Sequence, residues 1–174
     1  MRAVTFIKIY FMIETLLRSP VMQKPTLDNS IHYIAHTFSF LVTGKDTGNS
    51  FALIHCFFRK GFTPPPHFHK YEDESFYILD GIMEFNAGDK KFTGGVGEFI
   101  VLPKNVPHSF NVVTETAKAL LLITPAGFET VFKEFGKPAK TLDLPPVPDN
   151  LPKELFQQIH NRCVELGNVW MPEI

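Results

Sequence analysis

Gly61-Phe-Thr-Pro-Pro-Pro-His67-Phe-His69-Lys-Tyr-Glu-Asp-Glu74-Ser-Phe-Tyr-Ile-Leu-Asp-Gly81 is the stretch on which the fold turns. His67 and His69 are two apart, so on a strand both imidazoles fall on one face. Pro64, Pro65 and Pro66 fix the backbone just before the first histidine. The residues 70–73 (KYED) can turn the chain and return Glu74 on the next strand beside the pair. Glu74, Phe76 and Ile78 then share a face. Further on, residues 97–112 (GEFIVLPKNVPHSFNV) bring Gly97, Pro103 and then His108 at the start of another strand. Three neutral imidazoles and one carboxylate are a mixed nitrogen and oxygen donor set for a divalent first-row metal. Glu72 and Asp73 compete with Glu74 for the carboxylate role, and strand parity favours Glu74.

The surroundings of these two segments read as β structure. From residue 31 to about 124, short apolar runs such as FALIHCFF, ESFYIL, EFIVL and KALLLIT alternate with Gly, Pro, Asn and Asp turn signals. That pattern predicts a β-sandwich or barrel. Residues 85–90 (FNAGDK) predict a hairpin. After Pro125 the period changes: Phe128, Val131, Phe132 and Phe135 predict a short helix ending at Gly136. A Pro-rich connector follows, then a second helix over 152–166 with Asn150 or Leu151 near its N-cap and Gly167 as its stop.

Composition bounds the function. The chain has 174 residues, net charge −1, and 18 Phe, 14 Pro and 7 His against one Trp and two Cys. With 17 basic and 18 acidic residues there is no basic excess, which argues against nucleic-acid binding. The hydrophobic stretch 3–17 is broken by Lys8 and Glu14 and is too short for a membrane span. Cys56 and Cys163 have no CxxC spacing and predict reduced thiols in a cytoplasmic protein. The expected organisation is an N-terminal extension over 1–25, a β-barrel over 26–126, and C-terminal helices with the Pro-rich connector packed on it over 127–174. The extension could be a non-native start, since Met12 and Met22 could each begin a shorter chain.

The first segment matches every fixed position of the first cupin motif, G-x5-HxH-x4-E-x6-G. By chance, this chain's own composition would produce such a match about once in ten thousand trials. The second resembles the second cupin motif at Gly97, Pro103 and His108. Asn105 stands where that motif has Gly, and its closing Asn falls one place early, at 111. The resemblance implies an all-β double-stranded β-helix, the cupin or jelly-roll barrel. Over roughly residues 30–174 the chain looks like single-domain bacterial cupins grouped with quercetin dioxygenase. That likeness implies a metal held by His67, His69, Glu74 and His108, with Glu74 also taking a substrate hydroxyl proton. The metal would be one of Fe, Mn, Ni, Cu, Co or Zn. It further implies a small-molecule substrate of flavonol-like or hydroxylated aromatic type, O₂ as co-substrate, and a homodimer.

Phe76 and Phe110 share parity with Glu74 and His108 and are the expected substrate-facing aromatics. His32, His36, His55 and His160 lack ligand-like neighbours and are expected to be solvated or hydrogen-bonded side chains. Two alternatives stand beside the dioxygenase. One is other metallocupin chemistry on a small acid, such as isomerisation or decarboxylation, for which Arg59 is the one arginine in the strand region. The other is a small-molecule-binding cupin without catalysis.

Overall fold

The computed structural model describes residues 22–148 and 150–170. The expected N-terminal extension lies mostly outside the described residues. Among the described residues, twelve strands form two antiparallel sheets. In chain order these are β1 (Ser30–Tyr33), β2 (His36–Val42), β3 (Ala52–Arg59), β4 (His67–His69), β5 (Asp73–Asp80), β6 (Met83–Ala87), β7 (Lys90–Gly94), β8 (Phe99–Leu102), β9 (His108–Val112), β10 (Thr116–Thr124), β11 (Lys137–Pro138) and β12 (Asn168–Trp170). The described residues also include the helices α1 (Gly44–Thr47), α2 (Glu129–Phe135) and α3 (Lys153–Glu165). The larger sheet has the order β11-β1-β2-β3-β10-β5-β8, and the smaller has β12-β4-β9-β6-β7. Two sheets closing on one interior make the all-β jelly-roll barrel.

Strict alternation along the central strands builds that interior. In β3, Ala52, Ile54, Cys56 and Phe58 are buried while their neighbours are half-buried. In β10 the same holds for Ala117, Ala119, Leu121 and Ile123. β5 contributes Phe76 and Ile78, β6 contributes Met83 and Phe85, and β9 contributes Phe110 and Val112. Four of these rings form one network: Phe76 lies 5.5 Å from Phe85, 5.2 Å from Phe110 and 6.3 Å from Phe58, centroid to centroid. Each fully buried Phe contributes about 1.5–3 kcal/mol by leaving water, so the Phe excess supplies much of the core.

Turns fall where the residues allow them. The β6–β7 hairpin pairs Ala87 with Lys90 across Gly88-Asp89, with Gly88 at φ +58°. Gly81 closes the β5–β6 turn at φ +78°, and a Cβ there would meet the Thr116 carbonyl oxygen at 2.5 Å. Asn105 adopts φ +61°, the left-handed conformation that lets Asn stand for Gly.

Several details depart from the sequence expectation. Residues 43–49, a Gly- and Asn-containing stretch between β2 and β3, include the one-turn helix α1, where Asp46 Oδ2 accepts the Thr43 N–H at 2.8 Å. Gly136 follows α2 in an extended rather than a left-handed conformation. Space explains it instead, because a Cβ would lie 2.7 Å from the Phe132 carbonyl oxygen. Pro152 is itself the N-cap of α3, one residue after Leu151 and two after Asn150, the expected caps.

Candidate functional site

Glu74 returns on the next strand beside the histidine pair, but from the facing sheet. The chain crosses between sheets at residues 70–72, so His67 and His69 belong to the smaller sheet and Glu74 to the larger. The site therefore forms across the barrel. β4 is antiparallel to β9 with His67 paired directly to His108, and their ring centroids are 4.7 Å apart. On the opposite wall, Glu74 sits in register with Leu102 of β8 and Ile123 of β10. One ligand atom from each of His67, His69, Glu74 and His108 falls within 4.8 Å of the others, and all four residues are buried.

Hydrogen bonding decides which nitrogens face the cluster. His67 Nδ1 is 2.9 Å from the Pro65 carbonyl, and His108 Nδ1 is 2.9 Å from the Val106 carbonyl. A carbonyl only accepts, so each Nδ1 carries a hydrogen and each Nε2 is left to face inward. His69 differs: neither of its ring nitrogens has a hydrogen-bond partner, although the residue is only 1% exposed. Glu74 Oε2 and His108 Nε2 are likewise buried and unpartnered. Uncompensated buried polar atoms are costly, and here they converge. That convergence fits the three-imidazole, one-carboxylate donor set of a divalent first-row metal. The four residues are positioned to hold a metal ion.

The electrostatics agree. Burial holds His69 down at about 4, and burial also lowers His67, so both are neutral and have free lone pairs near pH 7. Burial also acts to lower His108, but the facing Glu74 carboxylate outweighs it and leaves the group raised. Burial opposes ionisation of Glu74, yet His108 and the other two imidazoles outweigh that and lower it. Glu74 Oε2 and His108 Nε2 stand 3.6 Å apart, too long for a hydrogen bond, so their attraction is ionic. A metal ion held here would need the His108 Nε2 lone pair free, so metal and proton would compete for that nitrogen.

The site opens into a cavity of about 240 Å³. His67 and Glu74 form its end at the four-residue cluster, and Phe76 and Phe110 line the adjoining wall. Other lining residues were not picked out from the sequence: Tyr33, His36, Phe38, Phe58, Ile159 of α3 and Asn168 of β12. Their signal was the inward parity of His36 with Phe38 and of Cys56 with Phe58, but nothing local linked those strands to the site. His36 is the hydrogen-bonded side chain expected, and it also lines the cavity. It is buried, its Nε2 donates to the Phe62 carbonyl at 2.6 Å, and its Nδ1 accepts the Arg59 N–H at 3.2 Å. His32 bonds Thr37 and Lys140 and lies away from the cluster. Glu72 and Asp73, the competing carboxylates, are elsewhere. Glu72 lies behind His69, and Asp73 Oδ1 accepts the Lys104 N–H at 2.9 Å. The second-motif Asn111 is exposed, and its Oδ1 accepts the Thr63 hydroxyl. Cys56 and Cys163 are both buried and form no disulfide. Among the described residues no helix is long and apolar enough to cross a membrane.

Comparison with known proteins agrees with this geometry. Residues 55–124 match the family model described as the cupin domain. The chain is 29% identical over 94 residues to quercetin 2,3-dioxygenase of Bacillus subtilis (strain 168), covering 54% of this chain and 28% of that protein. It is 28% identical over 127 residues to quercetin 2,3-dioxygenase of Aspergillus japonicus, covering 65% of this chain and 35% of that protein. The chain thus spans about a third of the length of these curated relatives or less. Among solved structures, a "predicted oxalate decarboxylase" from Thermotoga maritima superposes with TM-score 0.54 at 18% identity, covering 60% of this chain and 99% of the other, a likeness of fold. With the family match spanning both ligand segments, residues 55–124 carry a cupin domain, and the chain resembles quercetin dioxygenase-type proteins.

Proposed function

We propose that this protein is a metal-dependent dioxygenase acting on a flavonol-like or other hydroxylated aromatic small molecule. The observation that carries the reading is the cavity: it joins His67 and Glu74 to a wall of Phe, Tyr and aliphatic side chains, and among the described residues no Lys or Arg lines it. An apolar cavity of about 150 Å³ accommodates a benzene ring, so about 240 Å³ accommodates a larger aromatic. Asn168 is 1% exposed with an unpartnered Oδ1, an acceptor for a substrate hydroxyl.

His67, His69, Glu74 and His108 would hold the metal. That ion supplies Lewis acidity, which lowers the pKa of a substrate hydroxyl. The chain's own residues do the rest. Phe76, Phe110 and Phe58 exclude water and clasp the ring faces. Glu74, ionised at neutral pH, takes the hydroxyl proton at Oε2, leaving an electron-rich anion for O₂ to oxidise. Both oxygen atoms enter the product, so no external reductant is required.

Isomerisation or decarboxylation of a small acid fits less well. Such a substrate calls for a cation at its carboxylate, and the Arg59 guanidinium is instead held on the Pro145 carbonyl at 2.9 Å. The test is oxygen uptake by protein reconstituted with Fe²⁺, Mn²⁺, Co²⁺, Ni²⁺ or Cu²⁺ across flavonols and catechols. Uptake abolished in Glu74→Gln supports the reading. A filled site with no uptake across the panel overturns it, and tight ligand binding without turnover selects the non-catalytic alternative. The same preparation, sized by light scattering, tests the expected homodimer.

A further inference from the structure

Each histidine of the cluster needs its outer nitrogen tied down, because that bond fixes which tautomer presents its lone pair inward. For His67 and His108 the tie is a carbonyl two residues earlier in the chain, Pro65 and Val106. His69 has no such carbonyl. Its Nδ1 instead faces Glu72 Oε2 at 3.9 Å, and no hydrogen bond reaches either atom. The two side chains are 2% and 8% exposed. A donor and an acceptor, both buried and both unpartnered, thus face one another with about 1 Å between them and hydrogen-bond contact. The gap is too short to admit a bridging water, so closing it is the way both atoms are satisfied. Other groups restrict the ring from its remaining sides: Phe128 meets it edge-on at 4.5 Å, and His108 stacks at 5.6 Å.

We propose that Glu72 is the positioning residue for His69. Its carboxylate accepts the Nδ1–H, holds the imidazole in the Nε2-ligating tautomer, and thereby sets the affinity of the metal site. This inference rests on the metal site described above. Glu72 is not itself a ligand. It stands outside the four-atom cluster and acts through His69, as the carbonyls of Pro65 and Val106 act through His67 and His108.

The experiment measures Co²⁺ affinity of the full chain by competition with a chelator for wild type, Glu72→Ala, Glu72→Gln, His69→Ala and the double variant E72A/H69A. Loss of the outer partner of a ligating histidine typically costs 10–100-fold in affinity, so Glu72→Ala is expected to bind Co²⁺ about 10–100-fold more weakly. Glu72→Gln, whose side-chain carbonyl still accepts, is expected to recover part of the loss. In the double variant Glu72→Ala is expected to add nothing to His69→Ala, because its effect passes through that ring. Proton NMR of the Zn²⁺-loaded protein is expected to show three slowly exchanging imidazole N–H signals, with the His69 signal lost or shifted in Glu72→Ala.

Wild-type affinity in Glu72→Ala, or additive effects in the double variant, overturns the proposal while leaving the metal site intact. If Glu72→Ala does not fold, an unshifted His69 N–H signal in Glu72→Gln overturns it instead. Failure of wild type to bind Co²⁺, or unchanged binding in His69→Ala, removes the metal site itself.

Discussion

His36 is the place where the cavity wall depends most directly on proton uptake. Its ring is bonded at both nitrogens in one tautomer, Nε2–H to Phe62 and Nδ1 from Arg59 N–H. Protonation would set an Nδ1–H against the Arg59 N–H, donor against donor. Burial, first of all, holds the folded imidazole at about 4, against 6.5 for an exposed histidine. The unfolded chain therefore takes up the proton first. Stability from this residue is complete above about pH 7 and drains away as the pH falls from 6.5 toward 4. The gap corresponds to about 3 kcal/mol, of which roughly 2–3 kcal/mol is lost by pH 4.5. The assay is urea unfolding of EDTA-treated protein from pH 7.5 to 4.5, comparing wild type with His36→Gln. Glutamine offers one donor and one acceptor but does not titrate. All other groups are shared, so the stability gap between the two proteins should shrink by that amount on acidification. Two curves that stay parallel would refute the reasoning.

Other outcomes follow from the same geometry. His108→Ala and Glu74→Gln should each leave the protein folded but substoichiometric in Co²⁺ by elemental analysis, since each removes one of four converging donors. Phe76→Ala, at a position with no exposure, should destabilise by about 3–5 kcal/mol in urea unfolding. Phe110→Ala should enlarge the cavity, so its ligand affinity should change more than that of Val112→Ala, buried on the same strand but not lining the cavity. Gly81→Ala should lower the melting temperature by several degrees, because the new methyl group meets the Thr116 carbonyl at 2.5 Å in a left-handed turn. An unchanged melt would mean that the β5–β6 turn relaxes freely.

The four converging side chains were legible in the sequence, but only in part through short-range rules. Two residues apart on a strand means one face for His67 and His69, and the motif resemblance, not any local rule, joined His108 to them across the β4–β9 pairing. The alternation that buries Phe58, Phe76 and Phe110 was visible through the same strand parity. What could not be read was pairing between distant segments. Nothing in residues 70–73 announces a change of sheet, yet that change puts Glu74 on the far wall. His36 and Tyr33 reach the cavity through strand order, and Ile159 through the docking of α3, neither of which has a local signal. β11 and β12, two and three residues long, are strands only because sheet edges are there to receive them.

The division of the four donors between facing walls makes an ion at this site a rivet through the barrel. Three of its bonds anchor in one sheet and the fourth in the other. Parting the sheets then requires releasing the ion, so occupancy at a thousand times the dissociation constant would add about 4 kcal/mol against unfolding. The coupling works in both directions. A substitution that swells the layer between the sheets, even at the buried Met83 on β6, would pull Glu74 from its three partners and weaken the grip on the ion.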